Sequence, residues 1–226
     1  MIKILNFYQK LNFALNFIFK KNFNELELIK RHIKSSSIVF DVGSNLGNYI
    51  KFLSTKLDNY DLEIHSFEPI DSLCKIQKKL KLNSNHKLKI NNLAILNCNK
   101  KIKFYENNIA SQSSTKIGNN KIGKIVNSYE VQSVKLDKYY IDNSLNQIGF
   151  MKIDVEGAEL SALQSGKDLL NNKKINLLKV EISNSENNLY DVINYMKKFD
   201  YKIASIDNLF FKNNNLNLLE VYFEKN

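Results

Sequence analysis

From Ser37 onward, short apolar runs alternate with segments whose apolar residues recur every three or four positions. Those two periods separate strands from helices. "SIVFDVG" (37–43) is a β-branched and aromatic run closed by Asp41-Val42-Gly43, which predicts a strand followed by a turn. "NLGNYIKFLSTKL" (45–57) then places Leu46, Ile50 and Leu53 on one helical face. "LEIHSFEP" (62–69) is the next strand, stopped by Pro69, and Asp71 stands where it would cap a helix over 72–82. "KLKINNLAI" (87–95) and "KIKFYE" (101–106) read as further strands. The segment 107–129 is polar, carries Gly118 and Gly123, and predicts a long loop of the kind that is usually functional or mobile.

"VQSVKLDKYY" (131–140) turns from a strand into a short helix, and the strand "IGFMKIDV" (148–155) leads into the helix "AELSALQSG" (158–166). The strand "INLLKVEI" (175–182), the helix "NNLYDVINYMKKF" (187–199) and the strands "YKIASI" (201–206) and "LNLLEVYFE" (216–224) complete the pattern. Strand–helix alternation with a hairpin-like end predicts an α/β fold around an open, mostly parallel sheet with a terminal antiparallel strand pair. Such a sheet binds ligands outside the carboxyl ends of its strands.

Residues 1–34 read as a basic amphipathic helical extension, and 35–226 as the main domain, a length that one core can fill. Ile4, Tyr8, Leu11, Leu15 and Ile18 share a helical face. Residues 1–20 could pack on the domain's own sheet or make weak peripheral contact with a membrane surface. Lys10, Asn12 and Asn16 interrupt any signal-peptide core, and no apolar run reaches the 18 residues of a spanning helix.

The net charge of +10 suggests nucleic acid until its make-up is counted. Arg31 is the single arginine among 33 basic residues, while Asn occurs 34 times, Gly seven times and Pro once. An A/T-rich coding sequence gives that profile. Arginine is the preferred donor for bidentate phosphate and guanine contacts, so its near absence argues against specific nucleic-acid binding. Cys74 and Cys98 form neither a metal motif nor a disulfide framework, as expected of a cytoplasmic protein.

The scarce residues mark the chemistry. Gly43 and Gly47 lie in "DVGSNLG", Gly157 in "DVEGAEL", Gly166 at the end of the following helix, and the only proline in "FEP". A nicotinamide site would ask for three glycines and would be repelled by a carboxylate at the strand end. S-adenosylmethionine has no phosphate and carries a sulfonium and an ammonium, so an acidic turn suits it. Glu68, 27 residues after Asp41 and at the end of the next strand, can accept two hydrogen bonds from a ribose diol. Alone, Asp41 reads as a turn residue and Glu68 as a solvated strand end. At consecutive strand ends, with the glycine turn between them, they point to a cofactor site.

"FDVGSNLGNY", "FEP", "LDKYY" and above all "KIDVEGAELSALQSG" resemble the FkbM family of S-adenosylmethionine-dependent methyltransferases, over about Ser37 to Glu181. The resemblance implies a Rossmann-like class I methyltransferase fold. It also implies O-methylation of a small-molecule or glycan acceptor, either a sugar hydroxyl or a specialised metabolite. By the same resemblance Asp41, Gly43, Asn45 and Gly47 form the methionine-side loop, Glu68 anchors the ribose and Ala94 lies near the adenine. An RNA or protein methyltransferase, or a non-catalytic cofactor-binding scaffold, remains as an alternative on the same fold.

Methyl transfer is an in-line displacement, and a sugar hydroxyl benefits from a general base. Asp154, closing the fourth parallel strand, is the first candidate, with Lys152 alternating to the same face and able to pair with it. Glu156 is a second catalytic candidate, although a carboxylate just before a helix also stabilises the helix dipole. Glu159 in the first turn belongs with the helix. Glu181 ends the next strand and could share the cleft with Asp154, but the two make no full ligand set and no metal is expected. His32, His65 and His86 have core or surface roles.

Overall fold

The computed structural model describes residues 23–83, 85–107, 125–183, 189–212 and 215–226. The expected membrane-facing segment 1–20 and the middle of the expected loop, 108–124, lie outside the described residues. The chain enters through α1 (Glu25–His32), started by Asn24, whose side chain accepts from the Leu26 and Glu27 amides at 3.1 and 3.3 Å. Then follow β1 (Ile38–Val42), α2 (Asn48–Lys56), β2 (Glu63–Phe67), α3 (Asp71–Gln77), β3 (Lys87–Asn91) and β4 (Ala94–Ile95). Next come β5 (Lys101–Asn107), β6 (Ile125–Val134), α4 (Leu136–Asp142), β7 (Ile148–Ile153), α5 (Glu159–Ser165) and α6 (Lys167–Asn171). The chain closes with β8 (Ile175–Ser183), α7 (Leu189–Lys197), β9 (Tyr201–Lys212) and β10 (Asn215–Lys225).

The main sheet has the order β3-β2-β1-β7-β8-β10-β9, parallel from β3 to β8, with β10 antiparallel to both β8 and β9. This is the open, mostly parallel sheet that the alternation predicts, in the Rossmann-like form that the resemblance implies, with the terminal hairpin inserted as β10 before β9. The strand order reverses between β1 and β7, so the crevice there is where a ligand is expected. Alternating side chains give the sheet two buried faces. Phe40, Val42, Met151, Ile153, Leu178 and Val180 pack with residues of α4, α5, α6 and α7. Val39, Phe150, Leu177 and Tyr222 pack with Leu28, Ile29 and Ile33 of the α1 region and with Ile50 and Leu53 of α2. Helix α1, inside the segment 1–34, is therefore built into the core.

Three local expectations are corrected. Asp71 is not the cap of α3: Ile70 precedes the helix, Asp71 lies in its first turn paired with Lys75 at 2.6 Å, and the helix ends at Gln77. The run 87–95 is two strands, because the turn at Asn92-Leu93 sends Ala94-Ile95 into a second, three-stranded sheet of order β4-β6-β5. The expected loop 107–129 is narrower, since β6 already begins at Ile125 and pairs antiparallel with β5. β6 is the middle strand of that sheet, but β4 reaches it only at Ser133 and Val134, so its first half pairs with β5 alone.

One consequence of the register is invisible in the sequence. Ser66, Asp41, Lys152, Lys179, Tyr222 and Ser205 are successive cross-strand partners and form a polar row across the α1/α2 face. All six are buried.

Candidate active site

The site lies where β1, β2 and β7 end. After β1 the chain turns sharply, and the amides of Gly43 and Ser44 both donate to the Phe67 carbonyl of β2, at 3.0 and 3.1 Å. Gly43 has φ +81°, and a Cβ there would sit 1.7 Å from the carbonyl oxygen of Asp154, so only glycine lets the two loops touch. Asn45 follows in the left-handed region at φ 50°. The turn is fixed from below by buried polar groups. Ser44 and Ser66 hydroxyls meet at 2.6 Å, and the Gln77 amide of α3 donates to the Ser44 hydroxyl at 2.9 Å and the Asn45 carbonyl at 2.6 Å.

The second loop follows β7. Its ladder continues one residue past the strand, Asp154 N–H donating to the Val42 carbonyl at 2.9 Å. Glu156 and Gly157 are both left-handed, at φ 51° and 98°. Glu159 holds that pair in place: its Oε1 accepts from the Gly157 amide at 2.8 Å, and the residue is buried. The reading of Glu159 as a helix-end residue and of Gly157 as the turn therefore matches the geometry, whereas Glu156 turns out to occupy a strained backbone position. Strain of this kind clusters at functional sites.

Between the two loops is a cleft. Gly43, Asn45, Glu68, Ala94, Asp154 and Glu156 line it, so six of the nine sequence-predicted site residues meet there. Asp41 and Lys152 form the layer beneath. Gly47 does not face the cleft; a Cβ on it would meet Leu80 at 2.6 Å, so it serves the packing of α2 on α3. Pro69, Ile70, Leu93, Leu96 and Phe104 supply an apolar wall that the sequence did not reveal. Phe104 comes from the second sheet, and nothing in "KIKFYE" distinguishes it from any strand residue.

The electrostatics are lopsided toward acid. Both Asp41 carboxylate oxygens are buried without a hydrogen-bond partner, as is the Asn45 side-chain oxygen. The nearest cation is Lys152, whose ammonium lies 3.9 Å from Asp41 and 2.7 Å from Asp154. Burial pushes the Asp41 carboxyl up to about 6 despite Lys152, with Asp154 adding to the rise. Burial likewise pushes Glu68 up to about 7, against the Ile70 and Asn45 amides that bind one carboxylate oxygen each at 2.8 Å. Burial opposes the Lys152 ammonium, but Asp41 and Asp154 outweigh it and hold its pKa above the lysine range. Glu181, named from the sequence as able to share the cleft with Asp154, is raised by burial and then by Asp154. Among the described residues, no three His, Cys, Asp or Glu side chains are grouped to hold a metal.

An orphaned buried carboxylate beside an acidic, half-apolar cleft fits a ligand that brings positive charge and an aromatic base. It fits a pyrophosphate poorly, because the phosphate would face Asp41 and Glu68.

Comparison with known proteins agrees with this. No curated protein matches the sequence. Among solved structures, methyltransferase FkbM from Methylobacillus flagellatus KT superposes at TM-score 0.52 with 17% identity, over 84% of this chain and 44% of that one. This chain thus spans less than half of that protein. A protein provisionally described as an rRNA-methylase from Clostridium thermocellum superposes at TM-score 0.53 with 12% identity, over 88% and 92% of the two chains. At these identities the likeness is one of fold. The Methyltransferase FkbM domain matches residues 41–203, which run from the orphaned Asp41 past both loops and the β8 carboxylate. The chain belongs to the FkbM family of S-adenosylmethionine-dependent methyltransferases.

Proposed function

We propose that this chain methylates a hydroxyl of a sugar, glycan or specialised-metabolite acceptor. One observation carries the reading: Asp154, held by Lys152 at 2.7 Å, lies on the wall of the same cleft that Gly43, Asn45 and Glu68 line. A proton-accepting carboxylate and a cofactor cradle therefore share one space.

S-adenosylmethionine, when bound, supplies a methyl group made electrophilic by its sulfonium. Asp41 and the Gly43–Gly47 loop would hold its cationic end, Glu68 its ribose, and Ala94 with the apolar wall its adenine. The carboxylate of Asp154 accepts the acceptor's hydroxyl proton, and the Lys152 ammonium, 2.7 Å away, orients it. Glu156, on the strained turn that follows Asp154, would face the acceptor from the same loop.

A hydroxyl acceptor rather than RNA is favoured by the basic residues themselves, since Arg31 is the only guanidinium in the chain. The rRNA description of the Clostridium protein is the reason to test the alternative directly. The free thiols of Cys74 and Cys98 accord with a cytoplasmic enzyme. Among the described residues no helix is long and apolar enough to cross a membrane.

The test has two stages. S-adenosylhomocysteine is expected to raise the melting temperature of the wild type, and Asp41→Ala or Glu68→Ala to remove the shift. Labelled S-adenosylmethionine is then incubated with the protein and cell extract, and the labelled product is identified by mass spectrometry. A methyl ether of a sugar or small molecule supports the reading; label in RNA or protein, or no thermal shift at all, overturns it.

A further inference from the structure

Lys152 and Lys179 are cross-strand partners on β7 and β8, so two buried ammoniums stand side by side on one face of the sheet. Like charges so placed are destabilising unless each has its own counter-charge. They do have separate ones. Lys152 serves Asp154 and Asp41, while Lys179 pairs with Glu25 at 2.8 Å and Glu220 at 2.9 Å.

The ring of Tyr49, from α2, lies against both lysines, 5.4 Å from the Lys152 ammonium and 5.0 Å from that of Lys179. That distance suits a cation–π contact on each side. The ring is tethered from α1: Oε1 of Glu25 accepts from the Tyr49 hydroxyl at 2.7 Å, from Lys179 and from the Tyr222 hydroxyl at 3.0 Å. One carboxylate oxygen therefore gathers three donors drawn from α2, β8 and β10. Glu25 lies outside the region matched to the methyltransferase domain, which begins at residue 41.

We infer that Glu25 is a positioning residue of the methyl-transfer site: by holding the Tyr49 hydroxyl it keeps the ring against both lysines and commits Lys152 to Asp154 and Asp41. The inference rests on the reading of Asp154 as the proton acceptor. Without Glu25 the Tyr49 hydroxyl loses its acceptor, and Lys179 keeps Glu220 alone. Its ammonium is then free to turn toward the carboxylates that Lys152 serves. Helix α1 thereby becomes part of the active unit rather than a preface to it.

Nitrogen-15 NMR of the lysine ammonium groups in the full chain tests this, because buried, ion-paired ammoniums exchange slowly enough to be seen. Lys152→Arg and Lys179→Arg assign the two signals. In Glu25→Ala and in Tyr49→Phe, the Lys152 signal is expected to shift or broaden although neither change touches its carboxylates. The rate of product labelling from S-adenosylmethionine in cell extract should fall about tenfold, with S-adenosylhomocysteine affinity within about threefold of wild type. Tyr222→Phe removes different hydrogen bonds, to Glu25 and Glu220, and should move only the Lys179 signal, leaving the rate intact. An unchanged Lys152 signal and rate in folded Glu25→Ala and Tyr49→Phe overturn the inference. So does an equal response in Tyr222→Phe, which would mark a general loss of packing. Should Glu25→Ala not fold, Tyr49→Phe decides alone, since it keeps the ring and removes only the hydroxyl. Full activity in Asp154→Asn would instead overturn the proton-acceptor reading, and the NMR comparison would still judge the contact chain.

Discussion

Two clusters of buried charge share one face of this sheet and solve the same problem in opposite ways. Around Lys179, Glu25 and Glu220 both reach the ammonium, Tyr49 and Tyr222 donate to Glu25, and Asn208 donates to Glu220 at 2.8 Å. Burial pushes the Glu25 carboxyl up, yet Lys179 and the three hydrogen bonds outweigh it and leave it below its ordinary value. Around Lys152, a few ångströms along the same row, the balance fails. Asp41 has no hydrogen-bond partner, and Asp41, Glu68 and Glu181 are all held above the carboxylate range by burial. A buried charge that is fully paired can hold its neighbours in place without any ligand. One left short of partners marks a candidate ligand site.

The sharpest way to break the comparison is to neutralise the open cluster at the cleft. Asp154→Asn keeps the shape and removes the proposed proton acceptor, so transfer should fall by roughly 10²- to 10⁴-fold, the usual contribution of a general base. S-adenosylhomocysteine affinity measured by calorimetry should change little. A comparable fall in affinity would mean that Asp154 holds the ligand rather than the proton. The converse experiment is Lys179→Met in the closed cluster. It strands Glu25 and Glu220 and should cost roughly 3–5 kcal/mol in urea unfolding, in the range for breaking a buried pair.

How much of this was legible beforehand follows from what each feature depends on. The strand ends at Asp41, Glu68 and Asp154 could be read because composition has nearly emptied the chain of glycine and proline, and those residues persist at Gly43, Gly157 and Pro69. The pairing of Lys152 with Asp154 followed from strand alternation. The polar row could not be read, since it needs the register of β1 on β7 and β8, and register is set by the packed sheet. For the same reason nothing in the sequence singles out Glu25, a first-turn acid of α1. Gly47 has the spacing of a cofactor loop, and the close approach of Leu80 and Gln77 to where its Cβ would stand could not be read from that spacing.

The open cluster should also leave a mark on stability, with a defined sign. Asp41 rises from 3.8 to about 6 on folding and Glu68 from 4.5 to about 7, so the native state binds their protons more tightly than the unfolded chain does. The ligand-free protein is therefore stabilised while these groups are protonated, and loses that stability as pH climbs from about 4 through about 7. For Asp41, fully buried, the effect is on the order of 3 kcal/mol. Asp41→Asn should flatten this part of the pH–stability curve and make the ligand-free protein more stable at pH 8. The same variant should bind S-adenosylmethionine weakly. A wild-type curve that instead rises steadily across that range would show that Asp41 finds a partner in solution.

The smallest effect belongs to the residue that straddles the two behaviours. Glu159 is as buried as Asp41, yet its Oε1 is engaged by the Gly157 amide at 2.8 Å, which places it with the closed cluster despite its position in the acidic motif. Glu159→Gln retains an oxygen acceptor for that amide and should cost about 1 kcal/mol or less. Glu159→Ala leaves the Gly157 amide buried and unsatisfied, and should cost about 1–3 kcal/mol. Neither should alter ligand affinity by more than the loosening of the left-handed Glu156–Gly157 pair requires. Calorimetric titration with S-adenosylhomocysteine at matched folded fractions separates the cases. If Glu159→Gln abolishes binding while the fold persists, the carboxylate charge itself serves the ligand, and the line between the paired acids and those of the candidate ligand site runs through α5 rather than before it.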